Sequence, residues 1–159
     1  MKKAFYGWDK AVTDVVDISR LEHVLDIAAG TCIWTLDFAS IPEVKARLRV
    51  QDDAKDVSPI HLYACDIETK FFPEKQVTDE AGITTFQQDI TKSFAEDMLG
   101  RFDLVHASFL CVCLTKDGWR KALENCYKLL SASFGVYMLN SMLIRTKPIH
   151  RTWRPAYNR

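Results

Sequence analysis

The 159-residue chain has no net formal charge, with 21 basic residues facing 21 acidic ones. It also has no run approaching the roughly 18 uninterrupted apolar residues of a membrane span, so no membrane partner is expected. There is no CxxC pair: Cys32, Cys65, Cys111, Cys113 and Cys126 stand in apolar contexts, and MKKAFYGWDKAV at the N-terminus has no long apolar run behind its lysines. An odd cysteine count without an export signal predicts reduced, buried thiols in a soluble cytoplasmic protein; the nucleus is the other compartment consistent with them. Cys111 and Cys113 lie two apart with neither a second pair nor a nearby His/Cys cluster, so no metal site is expected. Two phosphate-binding signatures are missing as well. GxxxxGK[ST] is absent, and Ala28, Gly30 and Ile33 stand where GxGxxG needs three glycines.

What is present describes one folded domain. The chain is 48% hydrophobic, 11% aromatic and 26% charged, which excludes disorder as its main state. Charge is unevenly spread: Arg145, Lys147, Arg151, Arg154 and Arg159 put five cations and no acid in the last fifteen residues, leaving the body acidic by five charges. An acidic body argues against nucleic acid as a partner. Residues 1–144 are therefore read as the domain and 145–159 as a basic tail, solvated or disordered.

Apolar runs alternate with helical patterns along the domain. Lys10 to Arg20 reads as a short entry helix, and His23 to Ile27 (HVLDI) as a buried strand running into the small-residue turn Ala28-Ala29-Gly30-Thr31-Cys32. Ile33 to Ala39 reads as a helix stopped before Pro42, with Glu43 to Leu48 prolonging it. Val50 to Pro59 is polar loop. Ile60 to Cys65, Ile83 to Gln88, Phe102 to His106 and Gly135 to Leu139 read as further strands; Glu74 to Glu80 and Trp119 to Leu130 read as helices. The alternation predicts an α/β, Rossmann-like doubly wound, mostly parallel sheet of about five strands.

In such a sheet, ligands bind beyond the carboxyl ends of the strands. The first strand ends with Asp26 before Gly30, where the missing Cβ lets a ligand approach the backbone. Asp66 follows the second strand and suits a ribose diol. Asp89 and Ile90 follow the third and suit an adenine amine and ring, while His106 and Ala107 end the fourth. Acids after strands two and three, behind a small-residue turn after strand one, form a nucleoside-binding pattern.

The run VLDIAAGTCIWTLDFA (Val24 to Ala39) resembles the first motif, VLDxGxGxG, of class I S-adenosylmethionine-dependent methyltransferases. The likeness continues through ACDI, FQQDITKSF and FDLVHASFLCVCLTKDGWRKALENCYKLL, covering about residues 20 to 140, and it is similar more narrowly to methyltransferases of fungal secondary metabolism, the gliotoxin-pathway group included. The resemblance implies S-adenosylmethionine as cofactor and a small-molecule acceptor. Asp26, Ala28 and Gly30 would then frame the methionine portion. Asp66 with Ile67 would hold the ribose side, Asp89 with Ile90 the adenine, and His106 with Ala107 would flank the sulfonium. His106 is the candidate base by position and titration range.

The chain departs from the family pattern in three places. Ala28 and Cys32 replace the outer glycines of the turn, and Arg47 to Pro59 reads as an inserted loop that puts Asp66 forty residues after Asp26. Ser131-Ala132-Ser133-Phe134-Gly135 stands where a GG turn is usual, and the last strands of the sheet are expected to be missing. Other readings compete with the ligand roles: Asp66 and Asp89 as cap or turn residues, Asp26 as a turn stabiliser, and His106 as a structural histidine. Trp34 and Trp119 are expected in the core, and Tyr6 and Trp8 over a cofactor pocket or as an exposed anchor. The functional alternative is a catalytically silent cofactor-binding or partner-binding remnant. An open sheet edge would allow a homodimer or a protein partner.

Overall fold

The structure, a computed structural model, describes residues 16–48, 58–107, 110, 113–132, 136–139 and 142–145. The readings for Tyr6, Trp8, Cys111, most of the inserted loop and the tail beyond Arg145 lie outside the described residues.

The strands are β1 (His23–Ile27), β2 (His61–Asp66), β3 (Ile83–Gln87), β4 (Leu104–Ala107), β5 (Val136–Leu139) and β6 (Met142–Arg145). They form one sheet in the order β3-β2-β1-β4-β5-β6. The first five run parallel and β6 is antiparallel to β5. Sequence order reverses between β1 and β4, which makes the carboxyl ends of those two strands the switch point of the sheet. Both central strands are buried almost throughout, as their near-continuous apolar sequences require.

Alternation along the strands divides the core in two. Val24, Leu62 and Leu104 pack on one face of the sheet with Phe38 and Val44, while Leu25, Ile27, Val105 and Phe102 pack on the other with Ala122 and Leu129. The first layer is closed by α1 (Ile33–Ala39) and α2 (Pro42–Arg47), the second by α4 (Lys116–Leu129); α3 (Lys75–Glu80) precedes β3. No helix among the described residues is long and apolar enough to cross a membrane.

Several boundaries differ from the sequence reading for local reasons. Glu43 to Leu48 does not prolong α1: Ile41 is extended and Pro42 opens a separate helix, as a ring without an N–H favours the first helical position and disfavours helical geometry before it. Within the expected entry helix, Ile18–Arg20 forms only a 3-10 turn. Asp17 caps it by accepting bonds from the Ser19 N–H (3.2 Å) and hydroxyl (2.6 Å), which compete with continued helix. The α4 helix starts three residues before Trp119, where Thr115 accepts a bond from the Gly118 N–H at 3.2 Å. Met142–Arg145 is a sixth strand that the sequence reading, with its five, did not include.

Candidate active site

Between β1 and α1 the backbone turns tightly through three left-handed residues, Ala28 (φ 54°), Gly30 (φ 53°) and Cys32 (φ 55°). The turn is tied down by Ala29 N–H donating to Cys65 O (3.0 Å) and Cys32 N–H to Ala29 O (2.8 Å). The Ala28 and Cys32 side chains thus sit on a backbone that favours glycine. A Cβ added at Gly30 would meet nothing within 4 Å. Space above the turn is open.

Asp66, the last residue of β2, joins this turn to the next one. Its Oδ2 accepts from Gly30 N–H at 2.9 Å and its Oδ1 from Glu68 N–H at 3.0 Å. Both bonds come from neutral backbone, so they orient the carboxylate without cancelling its charge. Ile67 beside it is 62% exposed, an apolar side chain left at the rim. The structure thus brings the turn, Asp66 and Ile67 together at one rim of the sheet.

Asp26 is placed differently. It is 2% exposed, and its oxygens point into the protein: Oδ2 accepts from the Thr35 hydroxyl at 2.6 Å, and Oδ1 lies 2.7 Å from His106 Nδ1. Strand alternation puts Asp26 and His106 on the α1 face, paired in register across β1 and β4. The His106 ring is fully buried and stacks on Trp34, with centroids 3.9 Å apart and planes 7° apart; Trp34 stacks in turn on Phe38. Thr35 and Trp34 enter this cluster from the first turns of α1. Sequence reading missed the roles of both, taking Trp34 only as core.

The turn role for Asp89 is formed: Oδ1 accepts from the Thr91 N–H (2.8 Å) and hydroxyl (2.7 Å). Those bonds, the hydroxyl's first, hold its carboxyl below the usual range. Gln88 N–H donates to Asp66 O at 2.9 Å, so Asp89 stands one residue beyond the β2–β3 ladder. Ile90 is 7% exposed and packs in the α4-side core, and Asn125 holds its carbonyl at 2.7 Å. Ala107 is buried in the same layer.

Burial pushes the Cys32 thiol up to about 12, with Asp26 and then Asp66 adding to the effect. Burial first, then the same two carboxylates, raises Cys65 well above the ordinary thiol range. Both sulfurs stay protonated at neutral pH, so neither is a nucleophile or a metal ligand there. No metal-binding cluster occurs among the described residues.

The chain is 30% identical over 119 residues to the methyltransferase grgD of a Penicillium species, a match covering 72% of this chain and 37% of that protein. No family model matches. Among solved structures, the glycopeptide N-methyltransferase MtfA superposes with a TM-score of 0.57 at 20% identity, over 86% of this chain and 54% of that one. A TehB-like S-adenosylmethionine-dependent methyltransferase from Corynebacterium glutamicum gives 0.57 at 14% identity, over 85% and 61%. The methyltransferase domain of citrinin polyketide synthase gives 0.57 at 12% identity, over 83% and 32%.

The chain carries the class I S-adenosylmethionine-dependent methyltransferase fold. Its open turn, Asp66 and Ile67 lie at the carboxyl ends of β1 and β2, and the Asp26–His106 pair spans β1 and β4 beside them. The chain spans about a third of the curated methyltransferase it matches.

Proposed function

We propose that the chain binds S-adenosylmethionine at this rim and serves methyl transfer to a small-molecule acceptor of the secondary-metabolite kind. The observation that carries the reading is the Gly30 N–H bond to Asp66 Oδ2 beneath open space: one contact aims an ionised carboxylate and clears the backbone beside it. That donor set fits the cofactor's chemistry. A carboxylate accepts a ribose diol, exposed Ile67 offers an apolar face to a base, and Asp89 lies within the next turn for an adenine amine. The resemblance to grgD supports methyl transfer, and the likeness to the polyketide synthase domain supports an acceptor of this kind.

When bound, S-adenosylmethionine would supply an electrophilic methyl group on a sulfonium, with the neutral thioether as the leaving group. The acidic rim favours that cation. The turn and Asp66 hold the methyl donor in place, and alignment supplies most of the catalysis in a displacement of this type.

Calorimetric titration of the full chain with S-adenosylhomocysteine tests the binding step. Wild type should bind, and Asp66→Ala should lose at least tenfold in affinity. Absence of binding, or equal affinity in the variant, overturns the assignment. Transfer of labelled methyl into a metabolite extract then separates an active enzyme from a silent cofactor-binding remnant.

A further inference from the structure

We propose that Asn125, a buried asparagine on α4, is a positioning residue for adenine recognition: it clamps the loop after β3 so that Asp89 keeps one carboxylate oxygen free to accept from a base. This rests on the cofactor reading above for the ligand, though not for how the loop is held.

Asn125 is 8% exposed, and its Nδ2 donates to Ile90 O at 2.7 Å and to Lys92 O at 2.8 Å. Carbonyls only accept, so the amide must present its nitrogen to them, and both of its protons are used. One peptide unit carries the effect to Asp89. In a trans peptide the C=O and the following N–H point in opposite directions. Drawing Ile90 O toward α4 therefore turns the Thr91 N–H the other way, where it and the Thr91 hydroxyl donate to Asp89 Oδ1 at 2.8 and 2.7 Å. Lys92 is held at both ends as well, its carbonyl by Asn125 and its N–H by Asp89 O at 2.9 Å.

With Oδ1 so engaged, the rotation of the Asp89 carboxylate is set. No described residue donates to Oδ2, which is open to solvent. An ionised carboxylate accepts and does not donate. Asp89 Oδ2 can thus take a bond from the exocyclic amine of adenine, and it repels the carbonyl oxygen that hypoxanthine carries at the same place. The distinction needs a loop that holds Oδ2 steady, because a carboxylate free to turn into solvent meets both purines through water.

Calorimetric titration of the full chain with S-adenosylhomocysteine and with its hypoxanthine analogue, S-inosylhomocysteine, reads that distinction. Wild type should prefer the adenine ligand by about tenfold or more, the worth of one hydrogen bond to a charged acceptor. Asn125→Ala should bring the two affinities within about threefold of each other, chiefly by weakening the adenine ligand. A role confined to stability would lower both affinities alike and keep their ratio, so a ratio unmoved in Asn125→Ala overturns the proposal. Wild type that binds S-adenosylhomocysteine without preferring it overturns the proposal too, and leaves the cofactor reading standing. Wild type that binds neither ligand overturns the cofactor reading and, with it, the role of the clamp.

Hydrogen exchange of wild type carries the test if Asn125→Ala does not fold. Coupling between clamp and base is reciprocal, so at equal saturation S-adenosylhomocysteine should slow exchange of the Asn125 side-chain amide protons about threefold or more beyond the effect of S-inosylhomocysteine. Equal rates with the two ligands overturn the proposal.

Discussion

Ala28 and Cys32 hold φ of 54° and 55° on either side of Gly30. Left-handed geometry costs an L-residue roughly 1–2 kcal/mol, whereas glycine adopts it without that penalty. The strain persists because the turn is fixed by bonds to β2 and by Asp66. Ala28→Gly should therefore stabilise the fold by about 0.5–1 kcal/mol after the extra freedom of the unfolded chain is offset, seen as a higher urea midpoint. Unchanged or lower stability would contradict the strain argument. Cys32→Gly is not equivalent, since that side chain is fully buried in the core. A second residue-scale effect lies at the opposite end of the sheet. His23 stacks on His61 with centroids 5.0 Å apart. Burial lowers its pKa below 6.5, Arg101 and His61 add to this, and Asp103 and Glu22 oppose it. As pH falls below 6.5 the unfolded chain takes up a proton that the folded chain resists, so stability is present above that value and lost below it. The urea midpoint should fall between pH 7 and 5.5, and His23→Gln should flatten the decline; an identical slope in the variant would reject His23 as its source.

At the scale of elements, Arg47 joins three segments that have no strand pairing in common. It is 6% exposed, and its guanidinium donates to Ile18 O (2.8 Å), Leu21 O (2.6 Å), Ser58 O (2.8 Å) and Pro59 O (3.4 Å). These four carbonyls belong to the 3-10 turn, its exit and the entry to β2. Hydrogen bonds to a charged donor are worth about 1.5–3 kcal/mol, and stranding buried acceptors adds to the loss. Arg47→Ala should cost about 2–4 kcal/mol by urea denaturation, and Arg47→Lys should recover little, lacking the planar fork. A loss under about 1 kcal/mol would show that the carbonyls find other partners. No sequence rule announced this clamp, as an arginine at a helix end ordinarily faces solvent. The elements themselves were more legible. β1 and α1 match their expected spans residue for residue, because HVLDI is a short apolar run closed by a turn and Pro42 marks the end of the helix. The entry segment and β6 were harder to read: Asp17 captures local donors in the first, and MLIR is too short to show a period in the second.

At the scale of the molecule, parallel topology brings turns distant in sequence to one edge, and this much of the site followed from the order of motifs. Gly30 and Asp66 meet across 36 residues, as a doubly wound sheet predicts for the ends of neighbouring strands. The orientation of each carboxylate was not readable. Asp26 is the penultimate residue of β1 and Asp66 the last of β2, and Thr35 and His106 hold one inward while two backbone N–H groups hold the other at the rim. Partner availability in three dimensions decides between them, and spacing along the chain carries no record of it. On the proposed reading, cofactor binding through Asp66 is a property of the whole fold, because the turn after β1 and the turn after β2 exist together only in the folded sheet. A ligand that binds only the folded chain at 100 times its dissociation constant adds about 2.7 kcal/mol of stability, or a melting shift of roughly 5–10 °C for a chain of this size. Saturating S-adenosylhomocysteine should produce that shift in wild type and Ala28→Gly and little in Asp66→Ala. An equal shift in Asp66→Ala would locate the ligand away from the β1–β2 rim.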